Sequence, residues 1–425
     1  MGYKRAAIAA LIAGVVIAGG GCVRTRVADP DRLTVALEAA PRRFDPRLAG
    51  DAAAAKIGDL LFNGLVRRAD DMTIVPDLAV SWESPEPTRH VFHLREGVTF
   101  HDGRPFTAAD VKATFDFILD AKNVSPYKGA FSVVAAVEAP DPRTVVFTLT
   151  EPSAPFLGNM TRGIVPAGMT PDQVDARPVG TGPFAFVAYE REQALTLTRF
   201  DRYWEGAAKV AGVTVKFVAD ETVRVLELEA GGVDLVMNPI TPDLLPRLRR
   251  NPDLVVMEAP GTNYSYLGFN LRDRFTGDHA VREAIACALD RESIIRYLLK
   301  GLAVPADGPL SAANPFHAVG LPVYPFDPAK AKRLLDEAGY KDPDGDGPAV
   351  RFTLSYATSQ NEQRRRIAEV FQNQLATVGV GMKIESYEWG TFFERIKSGN
   401  FQLFSLTWVG MVDPDIFYNI FHSAS

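Results

Sequence analysis

Residues 76–119 constrain the fold more than any other part of the chain. Residues 90–94 alternate polar and apolar side chains, which is the period of a half-buried strand. Asp102-Gly103 is a turn signal, and Thr107 is a suitable N-cap with Asp110 three residues later. Apolar residues then recur at helical spacing up to residue 119. The segment therefore predicts a strand, a turn and a capped helix, without a catalytic motif.

The same alternation of strands and helices continues through the chain, which predicts an α/β fold. Gly180-Thr181-Gly182-Pro183 predicts a rigid turn in which the two glycines adopt unusual backbone angles. Asp327 predicts an N-cap, with Pro328 in the first helical position and Gly339 beyond the end. The predicted strands and helices are, in chain order, strands 33–37, 143–149, 195–199, 213–218, 382–386 and 401–407, and helices 51–65, 221–230, 326–335, 362–378 and from 391 onward.

The N-terminus predicts export from the cytoplasm. Lys4 and Arg5 precede an apolar run over residues 6–19, which is shorter than the ~20 residues of a membrane-spanning helix. Residues 1–22 therefore read as a signal peptide. Cys22 directly after three glycines predicts a lipidated cysteine, although Gly19 stands where an aliphatic residue is typical. The alternative is ordinary cleavage near Ala18, with Cys22 incidental.

Composition narrows the class of protein. The 46 basic and 52 acidic residues give a net charge of −6, which argues against a nucleic-acid partner. The run 364–366 of three arginines opens a predicted helix and is interpreted as a solvated face. Only Cys287 remains after Cys22, so no intrachain disulfide is expected, and its helical spacing with Ile285 and Ala288 predicts a core residue.

Sequence motifs for catalysis or metal binding are weak. The six histidines lack the i, i+4 spacing of a zinc helix, and neither a nucleophile elbow nor a phosphate-binding loop is present. Residues 342–347 match the first half of a calcium loop, but Thr353 stands where the bidentate Glu belongs, which favours a polar turn. Asp413 and Asp415 flank Pro414 and are interpreted as loop residues rather than an acid–base pair. We therefore predict no enzyme activity, no cofactor and no metal.

Several motifs carry a family resemblance. The string SWESPEPTRHVFHLREGVTFHDGRPFTAADV, the turn GTGPF, the segment DRYW and the helix DPAKAKRLLDEAGY resemble the extracytoplasmic solute-binding proteins of peptide- and nickel-type ABC importers, family 5. The resemblance implies an α/β bilobal periplasmic-binding-protein-like fold (type II, cluster C-like) with an extra small α/β domain, and hinge closure around a ligand. It implies domain I at 23–48 and 180–270, the small domain at 49–179, and a distal lobe at 271–425 that lacks the usual C-terminal segment.

The resemblance also implies a ligand site. Strand ends in α/β proteins are where ligand clefts open. Any one aromatic residue taken alone is more often a core residue, but together their positions favour a ligand site. We expect ligand contacts from Asn263, Tyr264, Tyr266, Trp389, Trp408, Asp413 and Phe417. Asn270 is expected either to contact ligand or to hold the hinge.

The sequence differs from the family pattern at two places that concern the identity of the ligand. Dipeptide-binding relatives place an Asp a few residues after the tryptophan of the Trp408 segment, but Met411 stands there, with Asp413 as a substitute. Their carboxylate-binding arginine has no counterpart near Ala357-Thr358. A buried charge without its partner costs several kcal/mol, so a longer peptide or a less charged solute is favoured over a zwitterionic dipeptide.

The predicted function is capture of a peptide or related small solute and its delivery to a permease. The expected partners are that solute, the permease's membrane subunits and separate ATPase subunits. The chain is expected to be a monomer in the periplasm or at the outer face of the cell membrane, held by the lipid at Cys22. The alternatives are a secreted hydrolase or a sensory receptor on the same scaffold.

Overall fold

The computed structural model describes residues 31–237, 240–345, 347–414, 417 and 421. The predicted signal peptide and Cys22 lie outside these residues. Two compact units are present: unit 1 is formed by the described residues of Met1–Arg67 and Pro76–Pro239, and unit 2 by those of Arg68–Val75 and Ile240–Ser425. Among the described residues, no helix has the length and apolar character needed to cross a membrane.

The elements of unit 1 alternate between strands and short helices. They are β1 (Arg32–Leu37), α1 (Ala52–Leu61), β4 (Ala79–Glu86), β5 (Arg89–Leu94), α2 (Ala108–Leu119), β6 (Val134–Asp141), β7 (Thr144–Leu149), α3 (Phe156–Asn159), α4 (Pro171–Ala176), β8 (Phe184–Glu190), β9 (Ala194–Arg199), β10 (Gly212–Phe217), α5 (Glu221–Glu229) and β11 (Leu235–Val236). A two-stranded sheet of β2 (Val66–Arg68) and β3 (Ile74–Pro76) contains the points where the chain leaves and re-enters unit 1.

Unit 2 follows the same α/β pattern. Its elements are α6 (Leu245–Arg250), β12 (Tyr264–Phe269), α7 (His279–Ala288), α8 (Arg291–Ser293), a π-helix (Ile294–Leu298), α9 (Pro328–Glu337), β13 (Phe352–Ser359), α10 (Glu362–Ala376), β14 (Val380–Tyr387), α11 (Trp389–Lys397) and β15 (Leu403–Trp408). The predicted strands and helices agree with these to within a few residues at most ends.

Unit 1 contains two sheets. The five-stranded sheet has the order β11-β1-β10-β9-β8, and β1 pairs in parallel with both β10 and β11. The second is an antiparallel sheet in the order β4-β5-β7-β6. Phe92, Phe115 and Phe147 pack edge to face beneath it and are fully buried. The helix α2 begins with the predicted capping box, in which Asp110 Oδ2 accepts from the Thr107 backbone N–H at 2.8 Å.

The two glycines of the 180–183 turn serve close approach rather than unusual backbone angles. Neither is among the positive-φ residues, which corrects the sequence prediction. A Cβ on Gly180 would lie 1.9 Å from the carbonyl oxygen of Leu61, and one on Gly182 would lie 2.6 Å from that of Leu60. The turn therefore packs backbone against backbone at the end of α1, where a side chain has no room.

Unit 2 is built on one four-stranded sheet in the order β12-β15-β13-β14. The strand β13 is parallel to both β14 and β15, whereas β12 is antiparallel to β15. The predicted boundary at residue 270 would place β12 in domain I, but its pairing partner β15 belongs to unit 2. The rest of the predicted three-part division stays a prediction.

The core of unit 2 packs α7, α9 and α10 onto this sheet. Cys287 is fully buried in that core, as predicted from its helical spacing. Asp327 accepts from the backbone N–H of Lys330 and caps α9, while Gly339 follows the helix with φ of 90°. Sequence signals confined to a single turn of helix therefore predict these ends correctly.

Candidate functional site

The predicted ligand residues of unit 2 meet at one edge of its sheet. Since β13, β14 and β15 run in parallel, Ser359, Tyr387 and Trp408 end them on the same side. The antiparallel β12 begins at this edge, so Tyr264 lies directly opposite Trp408 in register. Residues opposite each other on antiparallel strands share a face, and the carboxyl ends of parallel strands are the usual ligand side of α/β sheets.

Two tyrosines form the centre of this face. The rings of Tyr264 and Tyr266 are stacked, with centroids 5.8 Å apart and an interplanar angle of 11°. Tyr266 also meets Phe404 edge to face at 5.7 Å. Burial raises the pKa of both tyrosine hydroxyls, and a hydrogen bond involving Trp408 partly opposes this rise at Tyr266. Both rings are therefore neutral and fixed, as a preformed apolar surface requires.

Trp389 is the first residue of α11, rather than part of a loop before a helix beginning at residue 391. The Glu388 side chain caps this helix by accepting from the N–H groups of Gly390 and Thr391. The indole is 50% exposed and stacks on Phe393 at 6.0 Å. Phe392 of the same helix lies in the cluster that includes Tyr266 and Phe404. We call Tyr264, Tyr266, Trp389 and Trp408 the aromatic surface.

Arg364 is a residue of this region that the sequence interpretation missed. The predicted solvated face holds for Arg365 and Arg366, but Arg364 is half-buried. Its guanidinium carbon lies 5.4 Å from the centroid of the Trp389 ring, and its Nη1 donates to Ser359 Oγ at 3.5 Å. A signal for it was present, because an arginine three residues beyond Asn361 falls in the first turn after a parallel strand.

The polar candidates are occupied within unit 2. Asn263 Oδ1 accepts from the Gly410 N–H at 3.2 Å and so holds the chain after β15. Asp413 forms an ion pair with Arg68 at 3.4 Å. Met411, which the resemblance implied to stand in place of an Asp, is 4% exposed and belongs to the interior. These contacts give Asn263 and Asp413 a structural role in addition to any role with ligand.

Among the described residues, the side chains of Phe417 and Asn270 make other contacts than with the aromatic surface. The Phe417 ring is 41% exposed and stacks with Phe421 at 6.1 Å. Asn270 Nδ2 donates to the carbonyl oxygens of Gly399 and Phe401 at 3.0 and 2.8 Å, so it fixes the turn before β15. The structure therefore brings together four of the predicted residues, and a ligand role for all of them stays a prediction.

Unit 1 holds buried titratable groups that could be mistaken for catalytic ones. Burial raises the pKa of Asp77 to about 6, although its carboxylate accepts from Asn63 Nδ2 at 3.0 Å and the Gly64 N–H at 3.2 Å. Burial lowers the pKa of His101 to about 4, and its ring bonds the backbone of Gly180 and Gly182. Because both groups are bonded to backbone or amide partners, they fix loops of the fold.

Comparison with known proteins identifies the family. The sequence matches the family model described as "Bacterial extracellular solute-binding proteins, family 5 Middle" over residues 73–425. The chain belongs to this family. It is 30% identical over 417 residues to the dipeptide-binding protein of Escherichia coli (strain K12), covering 90% of this chain and 76% of that relative. It is 32% identical over 412 residues to heme-binding protein A of Haemophilus influenzae, covering 89% and 74%.

Solved structures agree on the fold. NikA from Brucella suis, in complex with Fe(III)-EDTA, is similar with a TM-score of 0.84 and 28% identity, covering 91% of this chain and 81% of that one. AppA from Bacillus subtilis, in complex with a nonapeptide, gives a TM-score of 0.75 and 27% identity, covering 92% and 82%. The chain thus has the bilobal periplasmic-binding-protein-like α/β fold predicted from its motifs. It is an extracytoplasmic solute-binding component of an ABC transporter, which confirms the predicted function over the hydrolase alternative.

Proposed function

We propose that the protein captures a peptide or peptide-like solute on the aromatic surface of unit 2 and releases it, chemically unchanged, to the permease. The observation that carries this proposal is the register pairing of Tyr264 with Trp408 beside the stacked Tyr266. Flat rings at a strand edge provide apolar contact area, and neighbouring backbone groups can orient an extended chain. Relatives named for binding dipeptides and oligopeptides support this ligand class.

The exposure of the tryptophans supports the same reading. Trp408 is 38% exposed and Trp389 is 50% exposed, although both are large apolar side chains. Contiguous exposed aromatic area marks binding sites more often than scattered single residues do. A ligand bound on the aromatic surface would therefore cover apolar area that is otherwise exposed to solvent.

Fluorescence and native mass spectrometry test the proposal together. Pools of short peptides are added to the full chain freed of co-purified ligand, and binding is read from tryptophan emission and from the mass of the complex. Of the four tryptophans, we expect Trp389 and Trp408 to carry the emission change. The Trp408→Ala change should weaken binding by about 1–3 kcal/mol, because aromatic anchors dominate such contacts.

The control for that change is Trp82→Phe, since Trp82 lies on β4 of unit 1. It should leave the emission change and the affinity as they are in the unaltered chain. No complex with any peptide pool would contradict peptide capture. Recovery of cleaved peptides after incubation would contradict release of the solute unchanged.

The proposal includes a monomer attached to the membrane by lipid at Cys22, after removal of residues 1–21. The glycines before Cys22 support this cleavage site. Mass spectrometry of the exported protein should find a diacylated N-terminal Cys22, and Cys22→Ser should release the protein from the membrane fraction. An unmodified N-terminus near residue 19 would instead establish ordinary cleavage. Light scattering of the purified chain tests the monomer.

A further inference from the structure

Arg364 is a charged side chain whose contacts among the described residues are with neutral groups. Its Nη1 makes a long bond to Ser359 Oγ, and its guanidinium lies over the Trp389 ring. Among the described residues, none provides an ion-pair partner within 4.0 Å of Arg364. By contrast, the neighbouring Arg366 pairs with Glu362 at 2.6 Å and with Asp243 at 3.6 Å.

Partial burial makes this arrangement costly unless something else balances the charge. Desolvation lowers the pKa of Arg364, so the charged form is less well solvated here than in water. The Trp389 face compensates in part through a cation–π contact. The guanidinium carries five N–H donors in a planar fork, and its one side-chain hydrogen bond among the described residues is to Ser359. A carboxylate is the group that this fork binds with two parallel bonds.

The position of Arg364 directs these donors to the candidate site. Only Gln360 and Asn361 separate the last residue of β13 from α10, and Asn361 Oδ1 accepts from the Arg364 N–H at 3.0 Å. Arg364 thus lies in the first turn of a 15-residue helix, at the sheet edge that carries Trp408 and Tyr264. The amino end of that helix adds partial positive charge to that of the side chain.

Three carboxylates that are close in sequence to Arg364, Trp389 or Trp408 are already engaged. Asp413 pairs with Arg68, Glu362 pairs with Arg366, and Glu388 accepts the first N–H groups of α11. The described part of the site therefore offers a cation to a ligand but commits its acids elsewhere. We propose that Arg364 determines specificity by binding a carboxylate of the solute, and that the site needs no ammonium group on that solute. This inference rests on the proposed function and narrows its ligand class.

The test uses three batches of one peptide library, three to six residues long. One batch has free termini, one is C-terminally amidated and one is N-acetylated. Occupancy of the full chain is measured by native mass spectrometry. We expect free and N-acetylated peptides to bind alike, and amidated peptides to bind roughly tenfold or more weakly, the effect of losing a charged hydrogen bond. The variant Arg364→Gln should bind all three batches alike, whereas Arg364→Lys should keep part of the preference.

The matched control is Arg365→Gln, because Arg365 lies on the same helix but is exposed. It should keep the preference of the unaltered chain, and circular dichroism of each variant verifies folding. Equal binding of amidated and free peptides by the unaltered chain would overturn the inference, as would a full preference in Arg364→Gln. If binding required a free N-terminal amine on the peptide, the statement that the site needs no ammonium group would be wrong. Absence of binding in all three batches would instead contradict the proposed function itself.

Discussion

Arg47 and Asp45 form an ion pair in the interior of unit 1, with Nη2 and Oδ2 2.6 Å apart and side-chain exposures of 5% and 0%. The Arg47 guanidinium also lies 4.1 Å from the Phe117 ring centroid. Two charges only two residues apart are thus removed from water together. Such a pair is stable because each charge balances the other, and neither is tolerated there alone.

We expect Asp45→Ala to lower the free energy of unfolding by about 3–5 kcal/mol, because it leaves the buried Arg47 unpaired. The control is Glu205→Ala, which removes the partner of Arg67 from an ion pair whose two side chains are 51% and 38% exposed. Its cost should be below about 1 kcal/mol. Urea unfolding measures both. Similar losses of unfolding free energy in the two variants would show that burial does not determine how much these ion pairs stabilise the protein.

His101 and Asp77 should give the stability of unit 1 opposite dependences on pH. The pKa of His101 falls from 6.5 to about 4 in the folded chain, so its contribution is complete above pH 6.5 and is lost as the pH falls toward 4. The pKa of Asp77 rises from 3.8 to about 6, so its contribution is complete below pH 3.8 and is lost as the pH rises through 6. Each amounts to about 3 kcal/mol.

These two contributions nearly cancel in the unaltered chain between pH 4 and 6.5. Relative to that chain, His101→Asn should lose stability as the pH rises across this interval, and Asp77→Asn should lose it as the pH falls. Urea unfolding at several pH values measures both slopes. Two variants with slopes of the same sign would be incompatible with this assignment.

Substitutions of Gly180 and Gly58 test whether the 180–183 turn closely approaches the backbone at the end of α1. Gly180→Ala should cost about 3 kcal/mol, because its Cβ would lie 1.9 Å from Leu61 O. Gly58 lies within α1, and nothing is within 4 Å of the position of its Cβ. Gly58→Ala should therefore stabilise the chain by about 0.5–1 kcal/mol. Thermal unfolding measures the stability of both variants. A Gly180→Ala variant as stable as the unaltered chain would show that Gly180 is not crowded by the Leu61 backbone.

Cys287 should be unreactive in the folded protein. Its side chain is fully buried on α7, and burial raises the pKa of its thiol, so little thiolate is present. In the Cys22→Ser variant, a thiol reagent should label the chain only after a denaturant is added. The rate of labelling at low denaturant would then follow the opening of unit 2. Rapid labelling of the native protein would show that this core is accessible.

Local sequence signals predicted most helix and strand ends. The capping box of Thr107 and Asp110 and the cap at Asp327 each lie within four residues, so the physics that fixes them is visible in a short window. In unit 2 the strands β14 and β15 were predicted, with Trp408 at the end of β15, whereas β13 was not predicted. The rule for α/β sheets placed the expected ligand residues at strand ends, whereas the register of Tyr264 with Trp408 is known only from the structure.

Contacts between distant parts of the sequence were not predictable in this way. The burial of Arg364 depends on Trp389, the role of Gly180 depends on the backbone of Leu61, and the partner of Asp413 is 345 residues away. A short stretch of sequence does not show which distant residue each of these will contact. These contacts arise from tertiary packing, which can be deduced only when the complete fold is known.

The passage of residues 68–75 into unit 2 affects how the protein can be divided. Within unit 2, Arg68 pairs with Asp413 and the Met72 sulfur accepts from Asn314 Nδ2 at 3.8 Å, so an early stretch of chain completes a late one. A ribosome synthesises that stretch long before its partners exist. A fragment that begins at Ile240 would lack these contacts, and supplying residues 68–75 as a separate peptide, or joining them through a permuted chain, should restore them.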